Sequence, residues 1–369
     1  MIQRSGVVMR QIGLLFLVTY GALHAKEYID LEAMAQDFVL ETKQIVLEGY
    51  AGAFNSSIIR WGNKLLLCFR VRNNKMISTF EIGFVWLDDD FNPISTPRIL
   101  DIRNNSTPFS QNQDPRLIVV NKKLYIIYNN FIKMGELVTR RMFVAQLICK
   151  DDLFFIDKPV CLQPFEGWSD RWEKNWAPFV FDDQLLLAYS LLPHRVFHPS
   201  LITGECVTVG STYSSLVWNW GELRGGTPAV RDGDEYIAFF HSSIKMSTVH
   251  SNGKTMPHYV MGAYTFSAKP PFEITRVSPE PIVGKQFYKG HAYNTWKPLR
   301  VVFPMGCVMD ENYIWVTYGR QDFEIWVAKF DKKRLYQSLI PCTYTEEKKY
   351  PDYQTNAMFI KNDSAVTES

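Results

Sequence analysis

The stretch "QDPRLIVVNKKLYIIYNNF", residues 113–131, predicts a β-hairpin. A polar head with a proline opens it, and two runs of β-branched and aromatic residues follow, separated by a polar turn at 121–123. Such runs suit the pleated, half-buried surface of a strand. Asp114 stands in the head, as either a simple turn residue or an acid placed to move a proton, and the stretch alone leaves both interpretations open.

Four further segments repeat this order of head, strand, turn and strand, namely 54–72, 174–192, 225–243 and 303–322. The heads recur at intervals of 51 to 78 residues. In each unit a head residue and a residue at the end of the second strand are 15 residues apart: Asn55 and Arg70, Asp114 and Asn129, Asn175 and Ser190, Gly226 and His241, Phe303 and Tyr318.

Additional strand-like runs lie between these hairpins, so each unit has room for about four strands. Five four-stranded units predict an all-β fold, a five-bladed β-propeller over residues 51–342. A β-sandwich with similar hairpins is the alternative. In a propeller the innermost strands surround the central axis, so the heads, Asp114 included, would converge on one funnel.

The two ends of the chain have a different character. Residues 1–25 combine Arg4 and Arg10 with an apolar run that ends in small residues, which predicts an export signal cleaved after Ala25. The protein is therefore expected in the periplasm, the secretory pathway or the medium, without stable membrane insertion unless the segment stays uncleaved as an anchor. Apolar residues at helical spacing predict a short N-terminal helical arm at 26–50, and 343–369 reads as a polar tail.

The charge balance and the cysteine spacing indicate which partners and cofactors to expect. The 369 residues include 40 basic and 38 acidic side chains, a net charge of +2 that gives no reason to expect nucleic acid or an acidic membrane as the partner. The six cysteines form no CxxC pair, so no metal site is predicted, and no spacing predicts an organic cofactor. Disulfide pairing and oligomeric state are left open.

The heads resemble those of glycoside hydrolase family 130, the β-mannoside phosphorylases and their hydrolase relatives. The matching pieces run in order from about residue 54 to 330: "FNSS" with Arg70, "QDPR", "EKNWAPF", "GGTPAV" with "FFHSS", "VVFPMG", and "YGRQD" followed by "IWVAKF". The family fold is a five-bladed propeller, which agrees with the repeats.

The resemblance implies inverting cleavage of a mannosidic bond, with Asp114 as the general acid acting through a sugar hydroxyl. It also implies inorganic phosphate as co-substrate and an oligosaccharide or other glycan as substrate. Phosphate would be bound by Arg70, Lys174, His241 and Tyr318, and sugar hydroxyls by Asn55, Asn175 and Asp322. Arg224, just before the glycine pair of the fourth head, is a further candidate anion ligand.

The chemistry is coherent with one acid among cations. A glycosidic leaving group needs a proton, which a carboxylic acid supplies if burial raises its pKa. Phosphate is already an anionic nucleophile, so phosphorolysis needs cations rather than the second carboxylate that activates water in an inverting hydrolase. Glu173 and Asp322 are the candidates for such a second carboxylate. Arg116 is expected to brace a blade rather than to contact substrate.

One departure from the family pattern concerns the third unit. Typical phosphorylases have a further arginine near the end of that inner strand, where this chain has Ser190. Arg195, His194 or Arg224 could substitute for it. If none does, a β-mannoside hydrolase or a propeller-type mannosyltransferase becomes the alternative, and both suit an exported protein. A non-catalytic glycan-binding propeller is the third hypothesis.

Overall fold

A computed structural model describes residues 28–72, 79–100, 111–150, 153–164, 172–290, 293, 295 and 297–346. The predicted export signal lies outside these residues, as does the tail beyond 346. None of the helices within the described ranges is long and apolar enough to cross a membrane.

The described chain is almost entirely β-structure, which confirms the all-β prediction. Strand β1 is followed by two antiparallel units; successive strands pair in the first, and in the second β9 and β10 both pair with β8. The first unit contains β2–β5 and the second β6–β10. Their bounds are Val39–Ile45 (β1), Phe54–Trp61, Lys64–Arg72, Phe80–Leu87 and Arg98–Leu100 (β2–β5), and Gln113–Val120, Lys123–Met134, Leu137–Lys150, Leu153–Ile156 and Val160–Cys161 (β6–β10).

Three more units complete the described chain. The third contains β11–β15, Gln163–Pro164, Ala177–Phe181, Gln184–Leu191, His194–Pro199 and Glu205–Ser214; the fourth contains β16–β20, Arg224–Gly225, Val230–Asp232, Glu235–Met246, Met256–Ser267 and Ile274–Val277. The fifth contains β21–β23, Arg300–Met309, Tyr313–Arg320 and Glu324–Asp331. Helix α1, Lys332–Ser338, and short strands β24, Ile340–Pro341, and β25, Tyr344–Glu346, follow; two 3-10 helices span Leu31–Met34 and Val249–Ser251.

The hairpin turns form where the repeats predict them. In the first unit the turn between β2 and β3 holds Gly62 at φ 63°, and in the second Asn121 and Lys122 have φ values of 48° and 61°. The third unit has Asp182 and Asp183 at 46° and 59°. Two-residue turns with positive φ match the right-handed twist of the strands they join, and glycine, asparagine and aspartate tolerate that conformation best.

The helical arm predicted for 26–50 is wrong. Its described part, 28–50, contains the 3-10 turn at 31–34 and strand β1, which pairs antiparallel with β23 from Val39 opposite Phe330 to Ile45 opposite Ile325. β23 would otherwise present unpaired N–H and C=O groups at its edge, and β1 satisfies them. This pairing outweighs the local helical spacing of the apolar residues.

Strand β1 provides a matched pair of tests. Ile45 is 3% exposed and Leu40 is 46% exposed in the same strand. We expect Ile45→Ala to lower the free energy of unfolding by about 2–4 kcal/mol, because it leaves a cavity in a packed core. Leu40→Ala should change it by less than about 1 kcal/mol, because little apolar area is lost from the interior. Equal effects in urea titrations would contradict the packing of β1.

Five of the hydrophobic clusters in the described residues each lie between two units. The clusters join the first unit with the second, the second with the third, the third with the fourth, and the fourth with the fifth. A further cluster joins the fifth unit with the first, through Ile325 and Val327 on one side and Ile58 and Leu65 on the other.

The first strands of the units also contact one another directly. The Leu117 amide donates to Ser57 Oγ at 3.2 Å, which links the second unit to the first. Thr317 Oγ1 of β22, the second strand of the fifth unit, donates to the Ser56 carbonyl at 2.6 Å, which links the fifth unit to the first. The heads of different units are therefore held within hydrogen-bonding reach of each other.

Candidate active site

Three head residues share an unusual backbone conformation. Asn55, Asp114 and Asn175 have φ values of 48°, 54° and 63°. The ladders β2–β3 and β6–β7 also change register at their heads. Bulges of this kind redirect a side chain, and asparagine and aspartate are the residues that best tolerate positive φ. The polar heads noticed in the sequence are therefore local devices that turn side chains toward one place.

Asp114 is the centre of the cluster. Its carboxylate is buried, and Oδ1 accepts hydrogen bonds from Asn55 Nδ2 at 2.9 Å and from Arg70 Nη1 at 3.1 Å. Oδ2 accepts from Asn129 Nδ2 at 3.3 Å. Both oxygens are thus acceptors, which is the pattern of an ionised carboxylate.

The charge state of Asp114 follows from competing effects. Burial opposes ionisation, but the charges of Arg70 and Lys174, the hydrogen bond from Asn55 and the charge of Arg116 together hold the pKa of Asp114 well below its usual range. Burial by itself would raise this pKa, as a general acid requires, but the cations outweigh it in the free protein. Asp114 is ionised at neutral pH.

Arg70 and Lys174 lie in this cluster. The Arg70 guanidinium lies 3.8 Å from the centre of the Phe80 ring. Lys174 is half-buried, 5.5 Å from the Trp172 ring, and forms no hydrogen bond or ion pair with any residue in the described ranges. Burial lowers the pKa of Lys174 to about 8, with the charge of Asp114 acting in the opposite direction.

Arg140 is a cation that sequence reasoning missed. It lies on β8, outside the repeated hairpins, so no repeat position singled it out. Its Nη1 donates to Asn129 Oδ1 at 2.6 Å, and its guanidinium lies 4.0 Å from the Phe131 ring. Burial lowers the pKa of Arg140 to about 10, and the neighbouring charge of Asp114 raises it. Arg140 and Asp114 therefore both form a hydrogen bond with Asn129, and their charges interact.

Arg116 has the bracing contacts expected of it. It is fully buried, and its Nε donates to the Gly226 carbonyl at 2.7 Å. Nη1 donates to the Asp114 carbonyl at 3.1 Å, and Nη2 to Asn175 Oδ1 at 3.4 Å. Arg116 thus ties the second head to the third and the fourth.

His241 and Arg224 face each other across the fourth unit as a pair in the ladder β16–β18. Burial, with the charges of Arg116 and Arg224, lowers the pKa of His241 to about 3, so its ring is neutral. Nδ1 must then carry the proton it donates to the Gly225 carbonyl at 3.1 Å. Arg224 is exposed and forms an ion pair with Glu222 at 2.7 Å, so it lies at the rim of the cluster.

The prediction that Tyr318 lines the site is wrong. Its side chain is fully buried in the core between the fourth and fifth units, with its ring 4.9 Å from that of Phe287. Strand register explains the error, because neighbouring residues of a strand point to opposite faces. The position that matches Arg70 in the first unit is Gly319, where an added Cβ would lie 2.1 Å from Asn55 Oδ1.

The sugar-binding candidates have structural partners of their own. Asn55 donates to Asp114, and Asn175 accepts from Arg116. Asp322 follows β22 with φ 52° and contributes, after burial, to raising the pKa of Tyr259. Asn55 therefore orients Asp114, and Asn175 orients Arg116.

Ser190 and two of the residues that could substitute for the missing arginine, His194 and Arg195, have defined positions in the third unit. Its hydroxyl donates to the Pro193 carbonyl at 2.6 Å. His194 is buried in the core with Nδ1 2.7 Å from the Phe272 carbonyl, and burial lowers its pKa to about 4, so its neutral ring is excluded as a substitute cation. Arg195 pairs opposite Ser190 in the ladder β13–β14.

The titration of Lys174 predicts how the affinity for an oxyanion depends on pH. Its pKa of about 8 means that it is charged below pH 8 and loses that charge as the pH rises toward 9. Affinity for an added oxyanion, measured with sulfate, should fall up to about tenfold between pH 7 and 9. Lys174→Arg should remove most of the fall, because a guanidinium stays charged. An equal fall in that variant would assign the effect to another group.

Comparisons with known proteins concern the fold. No family model and no curated protein matches the chain. A glycosyl hydrolase from Bacteroides ovatus is similar in structure, with a TM-score of 0.52, 13% identity, and 84% of this chain and 98% of that chain covered. A mannose phosphorylase from Leishmania mexicana, solved in complex with phosphate ion, has a TM-score of 0.53 and 12% identity, covering 87% and 95% of the two chains.

A third similar structure comes from work on the glycoside hydrolase family 130 of mannoside phosphorylases, which contains hydrolases that target β-1,2 mannosidic linkages in Candida mannan. Its TM-score is 0.52 at 13% identity, with 83% of this chain and 94% of that chain covered. The chain has a fold that glycoside hydrolases and mannoside phosphorylases share. The resemblance expected from the sequence is confirmed for the fold.

Proposed function

We propose that the protein is an exported carbohydrate-active enzyme that cleaves β-mannosidic bonds, and that it does so by inverting phosphorolysis. One observation carries the proposal: the buried carboxylate of Asp114 is surrounded by the cations Arg70, Arg140 and Lys174. Cations that hold an anionic nucleophile beside one acid are what phosphorolysis requires. The resemblance to a mannose phosphorylase solved with phosphate ion supports the same choice.

The five units are proposed to form a five-bladed propeller. Five hydrophobic clusters, each shared by two units and the last returning from the fifth to the first, support a closed ring of blades. Strand β1 would close the ring, because it completes the sheet of the last unit with a segment that precedes the first. Asp114 would then lie in the central funnel.

In the proposed reaction a phosphate oxygen forms a bond to the anomeric carbon while the bond from that carbon to the glycosidic oxygen breaks. The departing oxygen takes a proton that originates on Asp114 and passes through a sugar hydroxyl. The products are mannose 1-phosphate and the shortened glycan. Arg70, Arg140 and Lys174 would offset the repulsion between phosphate and the developing charge of the leaving group.

Hydrolysis is the second candidate. The absence of an arginine at Ser190 and the position of Arg224 in an ion pair with Glu222 favour it, because both weaken the expected phosphate site. Glu173, which accepts a hydrogen bond from Trp176 Nε1 at 3.1 Å, and Asp322 remain the candidates for the second carboxylate.

A product analysis separates these reactions. The protein is incubated with β-mannooligosaccharides, with and without inorganic phosphate, and mannose 1-phosphate and free mannose are quantified. Mannose 1-phosphate that forms only with phosphate supports phosphorolysis. Free mannose in both buffers overturns phosphorolysis in favour of hydrolysis. If neither product forms, the remaining candidates are a mannosyltransferase that uses another donor and a glycan-binding protein.

A further inference from the structure

The free protein holds Asp114 in the wrong protonation state for an acid. Its two oxygens accept hydrogen bonds from Asn55, Arg70 and Asn129, so its carboxylate is ionised. A general acid must carry a proton before it can give one up. The proposed reaction therefore requires an event that protonates Asp114 before the glycosidic bond breaks.

The surroundings of Asp114 contain a cause for such an event. The titratable and charged groups that interact with it electrostatically come from several elements: Arg70 of β3, Arg116 of β6, Arg140 of β8, Lys174 before β12, His241 of β18 and Tyr259 of β19. His241 and Tyr259 are neutral at pH 7, because burial disfavours the charged form of each. Four cations therefore face one carboxylate, which leaves three positive charges for an added anion to offset.

We infer that an oxyanion bound among Arg70, Arg140 and Lys174 makes Asp114 take up a proton from solvent, so that binding of the nucleophile prepares the general acid. The inference rests on the proposed function, in which phosphate is that oxyanion. A second observation supports this location: Arg70 Nε and Arg140 Nε are both buried without an acceptor among the described residues. Buried donors without partners are costly, and an oxyanion would satisfy them.

The coupling follows from the same forces that keep Asp114 ionised in the free protein. A dianion beside the three cations offsets their charge and competes for the Arg70 guanidinium. Burial, which favours the neutral carboxyl, then outweighs the remaining attraction. Because linkage is reciprocal, protonation of Asp114 also strengthens binding of the oxyanion. After the proton has passed to the leaving group, Asp114 is ionised again and can return to Arg70.

Sulfate binding to the full chain tests the inference, because sulfate remains a dianion between pH 5 and 8 while phosphate changes its own charge. Affinity is measured by calorimetry at constant ionic strength from pH 5 to 7, in two buffers of different ionisation enthalpy. We expect proton uptake of up to one per sulfate and an affinity that rises as the pH falls from 7 to 5, by up to about tenfold per pH unit.

Asp114→Asn should bind sulfate more tightly than the wild type at pH 7 and should lose both the proton uptake and the pH dependence below pH 7. Asp183→Asn is the matched control, since Asp183 is an exposed turn aspartate with φ 59° and should behave as the wild type. Arg140→Met should weaken sulfate binding about tenfold or more and Arg140→Lys much less, with the melting temperature of each variant used to confirm that it is folded.

The possible failures are distinguishable. Sulfate binding without proton uptake, or with unchanged pH dependence in Asp114→Asn, overturns the coupling and leaves phosphorolysis to be judged by mannose 1-phosphate formation. Absence of both sulfate and phosphate binding overturns the coupling and the proposed phosphate site together.

Discussion

Asp114→Asn is expected to lower turnover of β-mannosides by about 10²- to 10⁴-fold, the usual contribution of a positioned general acid. Asparagine keeps the size of the side chain and tolerates the φ of 54° at this head, as Asn55 and Asn175 do at 48° and 63°. The change therefore removes a proton donor without demanding a new backbone conformation. Initial rates of product formation at saturating glycan measure the effect.

Two controls test whether a loss of turnover in Asp114→Asn results from misfolding or from a nonspecific effect of the substitution. The melting temperature reports whether the Asp114→Asn variant is folded, and Asp183→Asn makes the same chemical change at an exposed turn. Turnover that survives in folded Asp114→Asn would remove Asp114 from the reaction. Loss of turnover together with tighter sulfate binding would be difficult to reconcile with a purely structural role.

Arg116→Met should produce the largest loss of stability, about 3–5 kcal/mol in the free energy of unfolding. The guanidinium is fully buried and donates to Gly226, to the Asp114 carbonyl and to Asn175. Methionine fills similar space but leaves three buried acceptors without donors. Urea or thermal unfolding measures the loss.

Arg60→Met is the matched control for this substitution. Arg60 forms an ion pair with Asp89 at 2.8 Å, but the two side chains are 53% and 75% exposed. Exposed ion pairs contribute little to stability, so the variant should unfold close to the wild type. A small effect of Arg116→Met would mean that the three heads are held together by other contacts.

Local patterns in the sequence were sufficient for the hairpins and their turns. Alternating apolar residues and turn residues such as Asn121 and Asp183 act over a few positions, so their effect can be inferred without a partner strand. The same local reasoning failed for residues 39–45, where the free edge of β23 decided the structure. It also failed for Tyr318, because a displacement of one residue along a strand reverses the face.

The sequence by itself determined the five repeated hairpins, the polar heads and the presence of an acid with basic residues at repeat positions. Only the tertiary structure decided which charges meet Asp114, because the strength of an electrostatic interaction depends on distance and burial rather than on spacing along the chain. It brought Arg140 into the cluster from outside the repeats and moved Tyr318 out of it. It also set the direction of the Asp114 pKa, since the surrounding cations outweigh burial in the free protein.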